Sequence, residues 1–446
     1  MAISGSAVWE MRTTGTQTGG AFFVTGATGT DYSQQANPQY DITDASAAGA
    51  GLTITTAAAA ADMVGNGLFS VGGTNVTANK WFEIVSVVVG TSITVAGAAN
   101  IMTGAGAGDV HVHIGGAFKA GGTLDDAFFE AHVAGNTCYI QSGSYTGVNA
   151  VDLASAGTAA LPKTYIGYIT TRTTVPTGTD RPLISSGNVN QRYYASYINW
   201  KYLRWETLGV GVYLGYSSYA YQCSFKNTSG TASRIAVGLN GRSTLIECEA
   251  ACTNGYGVFA LNNSQIVHCY IHDSVTGINI NSTNAMFSSI IGCVIDKCTT
   301  GIYIDTYYGS ILYCTLYSGT TGISFTNTGY GGWLVIDNVV TAFTTGATSV
   351  NSYLCHIITN NCWNNTGNDI VNLPDDDNGV FEDPLLTAPE THDFTLQTAS
   401  PCANVGTACE SNVGVTGDYS VNIGAQMGGL GAGGIKIPRG MRGGFN

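Results

Sequence analysis

Charge is scarce in this sequence. Asp, Glu, Lys and Arg make up 10% of its 446 residues, against roughly 25% in an ordinary soluble protein. Cations are scarcer still, with 16 Lys and Arg against 29 Asp and Glu and a net charge of −13. Nucleic-acid binding draws on clustered cations that release counterions, so no nucleic-acid partner is expected. An anionic membrane surface would repel the chain as well. No stretch of 18 apolar residues occurs, so no membrane span is expected. The opening MAISGSAVWEMRTTG lacks a basic n-region and an apolar h-region, and no secretory signal is read there. Paired C-x-x-C zinc spacings are missing too, although the chain has 12 cysteines. Free buried thiols are the default for them. Cys402 and Cys409 are the one close pair in a loop-like region, and the one disulfide considered.

What is present argues against disorder: 44% hydrophobic residues and 10% aromatics. Thr, Ser, Asn and Gly supply the polarity, a composition that suits strands and tight turns. A short phrase recurs, Gly followed by alternating apolar residues, at Gly257, Gly277, Gly301 and Gly322, with a weaker copy at Gly346. A second phrase, apolar-x-Cys-x-apolar, runs in step with it at Cys223, Cys248, Cys269, Cys293 and Cys314, and Asp337 is read as the next occupant of the Cys slot. Two short strands per 20–25 residues cannot bury a face alone, but coils stacked on one another can. The period is too short for propeller blades and lacks the Leu and Asn signature of leucine-rich repeats. The fold expected is all-β, a right-handed parallel β-helix of roughly ten coils, about 50 Å long at ~4.8 Å per coil. Its cysteines should stack in a core column, and Asn281, Asp305 and Thr326 should share one post-strand position.

The organisation read along the chain is an arm over 1–48, a small β-barrel or sandwich over 49–118, the β-helix over 119–406 and a Gly-rich tail over 407–446. The middle module shows strand-like segments at Leu52–Thr55, Leu68–Val71, Phe82–Val89 and Ser92–Val95, with a hairpin turn at Gly90-Thr91. A capping helix is expected over 123–134, with Thr123 as N-cap and Asp125 and Asp126 in its first turn. The tail is flexible in isolation, and order in it would imply a partner or sister chain.

After that helix the chain reads Gly135-Asn136-Thr137-Cys138-Tyr139-Ile140 and Gly143-Ser144-Tyr145. Here it resembles the pectate-lyase-like superfamily of parallel β-helix proteins. Asp383-Pro384-Leu385 and the run His392 to Pro401 resemble the closing segment of such proteins. The run Val8 to Gly15, with Gly26 to Gln35, looks like the start of uncharacterised β-helix proteins from tailed-phage genomes. That resemblance implies a virion structural protein, a head decoration, fibre or tail spike. It implies a homotrimer assembled in the host cytoplasm, with capsid or tail proteins as partners and host-surface polysaccharide as a further one. The alternative is a polysaccharide depolymerase, a lyase or glycoside hydrolase, on the same scaffold. A non-catalytic surface adhesin is a third reading, and it would need an export route.

β-helix lyases commonly use carboxylates for calcium and a basic side chain, and hydrolases use paired carboxylates. Candidates are Asp273, Asp296 and Asp305, with Asp337, Glu247, Glu249, Lys297 and His272 around them. Asp273 and Asp296 follow strands one coil apart and are read as a pair within reach of each other. No catalytic motif of a known family is present, so the reading leans away from an enzyme. No cofactor is expected, except calcium for a lyase. His111 and His113 share one strand face and could meet on a trimer axis to bind a metal. The aromatic-rich segment offers Trp200, Trp205, Tyr213, Tyr216 and Tyr219 as glycan or interface contacts, with core packing as the competing role.

Overall fold

The alternation of inward and outward side chains decides where each strand goes. The computed structural model describes residues 3–47, 52–74, 76–96, 101, 108–148, 156–186, 191–193, 195–261, 263–281, 287–327, 332–350, 355–359, 361–376, 378–404, 413–416 and 420–423. They fall into two compact units, Met1–Ser243 and Thr244–Asn446. Cys409 and the glycine-rich stretch from Gly428 onward lie outside the described residues.

In the first unit the opening strand, Ala7–Thr16, is a coil strand and not part of a separate arm. It pairs in parallel with Thr137–Gln141, Trp9 against Cys138 and Met11 against Ile140. The indole of Trp9 donates to Asn136 Oδ1 at 2.9 Å, and the Tyr145 hydroxyl donates to the Met11 carbonyl at 3.2 Å. Between these partners the chain makes a closed barrel. Its strands are Tyr40–Ala47, Thr53–Thr55, Ser92–Val95, Lys80–Val88, Gly67–Gly73 and Gly108–Ile114, in that spatial order. The barrel starts ahead of position 49 because Ile42 and Ala45 help to fill its core, with Ile54, Leu68, Ile84, Ile93, Val110 and Val112.

The helix is shorter than expected, Asp125–Ala131. Thr123 does not cap it. Leu124 holds the cap position and makes no side-chain cap bond. Asp125 turns back instead and accepts from the Gly121 and Gly122 amides at 3.1 and 3.2 Å. Phe128 of this helix is fully buried, stacked 3.9 Å from Phe118 and edge-on to Trp9 at 5.4 Å. It thereby closes one end of the core.

A buried ion network binds the first strand to the following coils. The Glu10 side chain has no exposed surface and meets Arg12 Nε and Arg172 Nη2, each at 2.9 Å. It also accepts from the Tyr168 hydroxyl. Arg172 reaches on to Asp31 at 3.2 Å and Ser33 at 3.0 Å, and Arg12 to Gln34 at 3.1 Å. Much of the N-terminal phrase singled out in the sequence is therefore an internal clamp.

The remaining coils of this unit advance in parallel register, Thr137 to Thr164 to Asn199 to Tyr219. The early steps are longer than the repeat seen further on, and the solenoid has about 8 turns where ten were expected.

The second unit shows the repeat at its most regular. Leu245, Ile266, Ile290, Ile311 and Val335 stand in one inward column. Ile271, Ile295, Leu316 and Val340 form a second, and Ile278, Ile302, Ile323 and Ala347 a third. All are essentially fully buried. Each large aliphatic side chain so buried contributes ~1.5–3 kcal/mol of transfer free energy. Gly277, Gly301 and Gly322 recur because a Cβ at any of them would stand 2.4–2.6 Å from the carbonyl of the glycine in the next coil.

The corner between the first two columns has a fixed chemistry. Glu247, His268, Tyr313 and Asp337 all adopt positive φ there, as does Gly292, over which the His268 ring lies. The next residue is Cys248, Cys269, Cys293 or Cys314, and each thiol donates to the carbonyl two residues back at 3.3–3.5 Å. Three of these carbonyls also accept a corner amide of the preceding coil, Val267 from Glu247, Ile291 from His268 and Leu312 from Gly292, so there the thiol fills a second lone pair. Burial pushes the Cys269 and Cys314 thiols well above the usual range. In the first unit Cys223 makes the same bond to Tyr221 at 3.4 Å.

The register corrects one expectation. Leu312 pairs with Ile336, so Asn338 and not Asp337 continues the Cys column, and Asp337 takes the corner. Asn338 Nδ2 donates to the Ile336 carbonyl at 3.0 Å, as a thiol would, and Oδ1 accepts from the Cys314 amide at 2.8 Å. Asn361 follows one coil on, and Asp376 ends the column. At the shared post-strand position, Asn281 pairs with Asp305, and Thr326 donates to the Ile304 carbonyl at 3.1 Å. Cys402 is bonded to Cys362, with the Cα atoms 6.0 Å apart, rather than to Cys409. The sequence separation of 40 hid that pair, since the chain returns along the coil face after the last strand.

Candidate functional site

In the second unit the strands Glu249–Cys252, Tyr270–His272, Val294–Asp296 and Thr315–Phe325 lie side by side. Ile271 and Ile295 point inward, so Tyr270, His272 and Asp296 point out. A hairpin of Leu386–Ala388 and Asp393–Leu396 covers them, packing Leu386 and Phe394 on Tyr270 and Val294. Beneath this cover lies a cluster of titratable groups.

His272 is held between two carboxylates, Nδ1 at 2.9 Å from Asp273 and Nε2 at 3.1 Å from Glu249. Burial opposes its charge, but the bonds to Asp273 and Glu249 prevail and bring its pKa up to about 9. The same bond to His272 holds the Asp273 carboxyl below the usual range, against a smaller opposing effect of burial. Asp296 is fully buried, and burial pushes its pKa up despite Lys297 and His392. Its Oδ1 has no hydrogen-bond partner among the described residues. Its Oδ2 accepts from the Tyr270 hydroxyl at 3.3 Å and lies 3.2 Å from His392 Nδ1. The Tyr270 hydroxyl is itself 2.6 Å from His392 Nδ1. Asp296, Tyr270 and His392 thus form one connected polar group whose outer member is the His392 ring, 22% exposed.

Tyr317 stands in register beside Asp296, on the next coil. Its hydroxyl donates to Glu390 at 2.7 Å, and burial with that bond pushes its pKa up to about 12. Tyr317 also lines a cavity of about 320 Å³, shared with Thr341, Asn364, Asp383, Leu386 and Gln397. The lining mixes an aromatic ring with hydroxyl, carboxamide and carboxylate groups, which suits a hydroxyl-rich ligand.

A pH dependence follows from His272. Its folded pKa is about 9 and its ordinary value 6.5. The stabilisation is complete below about 6.5 and is lost as pH rises through about 9. A His272→Gln variant should therefore lose the decline of the urea midpoint over that window. An unchanged decline would place its cause elsewhere.

Of the sequence candidates, Asp273, Asp296, His272 and Glu249 come together. Asp296 aligns with His272 in register, and the Asp273 amide donates to the Asp296 carbonyl at 3.2 Å, so the two residues are neighbours on adjacent coils. Lys297 takes the exposed corner after Asp296. Asp305 lies elsewhere, in register with Asn281, and Glu247 and Asp337 are corner residues. Tyr270, Tyr317, Glu390 and His392 were missed. Tyr270 had a signal, two residues before His272 on one strand face. His392 had none, because its contact spans 122 positions.

Of the aromatic candidates, Trp200 and Trp205 are core residues, 1% and 0% exposed. Trp200 stacks on Tyr165 at 4.4 Å and Trp205 on Phe225 at 5.0 Å. The Tyr213 ring covers Gly238. Tyr216 and Tyr219 face outward, under Arg242 at 5.4 Å and Lys201 at 5.7 Å. His111 and His113 sit on the outer face of the barrel and are joined there by Asp41 of the same chain, without any need of a trimer axis.

No protein-family model matches the sequence, and no curated protein does. Among solved structures, similarity is found to pectate lyase Pel9A, with 14% identity, a TM-score of 0.47, and coverage of 64% of this chain and 86% of that one. The PL6 family alginate lyase AlyGC gives 11% identity and a TM-score of 0.41, over 69% of this chain and 57% of that one. An alginate lyase from Paenibacillus sp. str. FPU-7 gives 11% and 0.32, over 58% and 95%. The fold itself rests on the strand registers: this chain is a parallel β-helix protein.

Proposed function

We propose that the chain binds and cleaves a polysaccharide on the coil face of its second unit. The observation that carries this is the connected group of buried Asp296, Tyr270 and His392. Burial raises the pKa of Asp296, and carboxyl groups raised in this way serve as proton donors in glycan cleavage. His392, at the outer end, would exchange the proton with a sugar. The cavity beside Tyr317 would hold the neighbouring residue of the polymer through Asn364, Asp383 and Gln397. Calcium does not fit this cluster. His272 occupies the space between Asp273 and Glu249 where a hard cation would require oxygen ligands, so no step is assigned to that ion.

The test is incubation with neutral and uronate-containing polysaccharides, with and without calcium, following reducing ends and ultraviolet absorbance of unsaturated products. His392→Ala and Asp296→Asn should each slow turnover by ~10²–10⁴-fold, the usual worth of an acid–base group. Asp305→Asn should leave it unchanged. Cleavage at parental rates by both the His392 and Asp296 variants, or no cleavage of any polymer by the parent, defeats the proposal.

A second reading is the virion structural protein, motivated by the N-terminal phrase, with a homotrimer and capsid or tail partners. Light scattering of purified protein addresses it directly. A lone 46.3 kDa species would count against it.

A further inference from the structure

The barrel of the first unit carries an arrangement that its folding does not require. On strand Gly108–Ile114, Val110, Val112 and Ile114 fill the core, so the residues between them, His111 and His113, project outward on one face. Strand Tyr40–Ala47 runs antiparallel beside it, with Asp41 directly opposite His113. The Asp41 Oδ1 atom lies 2.7 Å from His111 Nε2 and 3.4 Å from His113 Nε2. One ligand atom from each of the three residues lies within 4.8 Å of the others. The two imidazoles meet edge to face, 4.9 Å between centroids.

A second observation concerns His113. Its Nδ1 lies 3.0 Å from the Thr18 carbonyl oxygen, which can only accept. The Thr18 hydroxyl is 3.1 Å from the same nitrogen, and the ring is held with Nε2 facing Asp41, so that a neutral ring with its proton on Nδ1 would offer Nε2 as a ligand. Histidines that bind metals are oriented in this way, the far ring nitrogen donating to a carbonyl or carboxylate.

From this geometry we propose that Asp41, His111 and His113 bind a divalent transition-metal ion of the zinc class. An ion ~2.0–2.1 Å from each of three tetrahedral ligands holds them about 3.3–3.4 Å apart. The Asp41–His113 separation is already 3.4 Å. The Asp41–His111 pair must open slightly from 2.7 Å, and Asp41 is 62% exposed and can swing outward. A fourth position then faces solvent. Two imidazoles and one carboxylate suit zinc, nickel or copper and are a poor set for calcium, which takes six to eight oxygens. The site lies on a different unit from the Asp296 group and does not depend on it. Because Thr18 follows the first coil strand and the other three residues belong to the barrel, a bound ion would tie the two together.

The experiment uses the full chain, stripped with a chelator and titrated with zinc sulfate at neutral pH. One equivalent should bind. His111→Ala and His113→Ala should each weaken binding at least as much as the roughly 10–100-fold that outer-shell changes cost. Cobalt in place of zinc should give the intense visible absorption of a tetrahedral centre, which an adventitious surface ion would not. The three side chains point out of the barrel, and circular dichroism of each variant confirms its fold. Zinc should also raise the melting temperature of the parent and leave that of a His111→Ala/His113→Ala double variant unmoved. Absence of saturable binding, equal binding by the double variant, or displacement of zinc by excess calcium each overturns the proposal.

Discussion

Replacing Arg172 by Met should destabilise the first unit by about 3–5 kcal/mol, the usual cost of stripping a partner from a buried ion pair. Glu10 has no exposed surface and cannot turn to water. With Arg172 removed it keeps Arg12 and the Tyr168 hydroxyl, but its Oε2 loses a 2.9 Å cation contact. Asp31 and Ser33 lose their anchor in the same step. The apolar stem of Met replaces the packing of Arg172 over the Tyr139 ring but none of its charge. A Glu10→Gln/Arg172→Met double variant should recover part of the loss, because a neutral amide is cheaper to bury than a carboxylate. Urea unfolding followed by aromatic fluorescence measures both. A shift under 1 kcal/mol for Arg172→Met would falsify the view of this network as a clamp.

The second large effect should come from Asn361→Leu, which keeps the number of side-chain heavy atoms but none of the polarity, and is also expected to cost about 3 kcal/mol or more. Asn361 is fully buried in the polar column of the second unit. Its Oδ1 accepts from the backbone and side chain of Asn338, each at 2.9 Å, and its Nδ2 donates to the Val335 carbonyl and to Asp376. Leu satisfies none of these. Each stranded buried donor or acceptor costs ~1–3 kcal/mol. Asp376 would keep Trp363 Nε1 at 3.2 Å and the backbone amide at position 361. Hydrogen exchange should show the damage concentrated at the last coils, from Trp333 onward, with strand Tyr270–His272 still protected. Loss confined to fewer than these coils, or none at all, would show that the column is not cooperative.

The repeat was legible because its two anchors cannot easily be replaced. Only glycine tolerates the carbonyl of the next coil at Gly277, Gly301 and Gly322. Only a small side chain with a donor fits the corner of Cys269 and Cys293. Where another residue meets the same need, the pattern broke: Asn338 supplies its amide in place of a thiol, and the reading slipped by one residue to Asp337. Long-range partners left no trace. Asp41 meets His111 across 70 positions, and Tyr317 meets Glu390 across 73. Each is fixed by a strand register or a covering hairpin that local composition does not encode. The aromatic-rich segment illustrates the opposite failure. Trp200 and Trp205 suggest a surface for sugars by their residue type, yet their alternation within Ile198–Lys201 and Arg204–Thr207 already places them on the inward face.

The pairing of Ala7–Thr16 with Thr137–Gln141 has a consequence for biosynthesis. Trp9 and Asn136 are 127 positions apart, so during synthesis this strand must wait for a partner made much later. The barrel, whose strands all lie between them, can close meanwhile and shorten the search. Until then this strand presents unpaired amides and a bare indole to solvent. Chains stalled at that stage would be the ones that clump edge to edge.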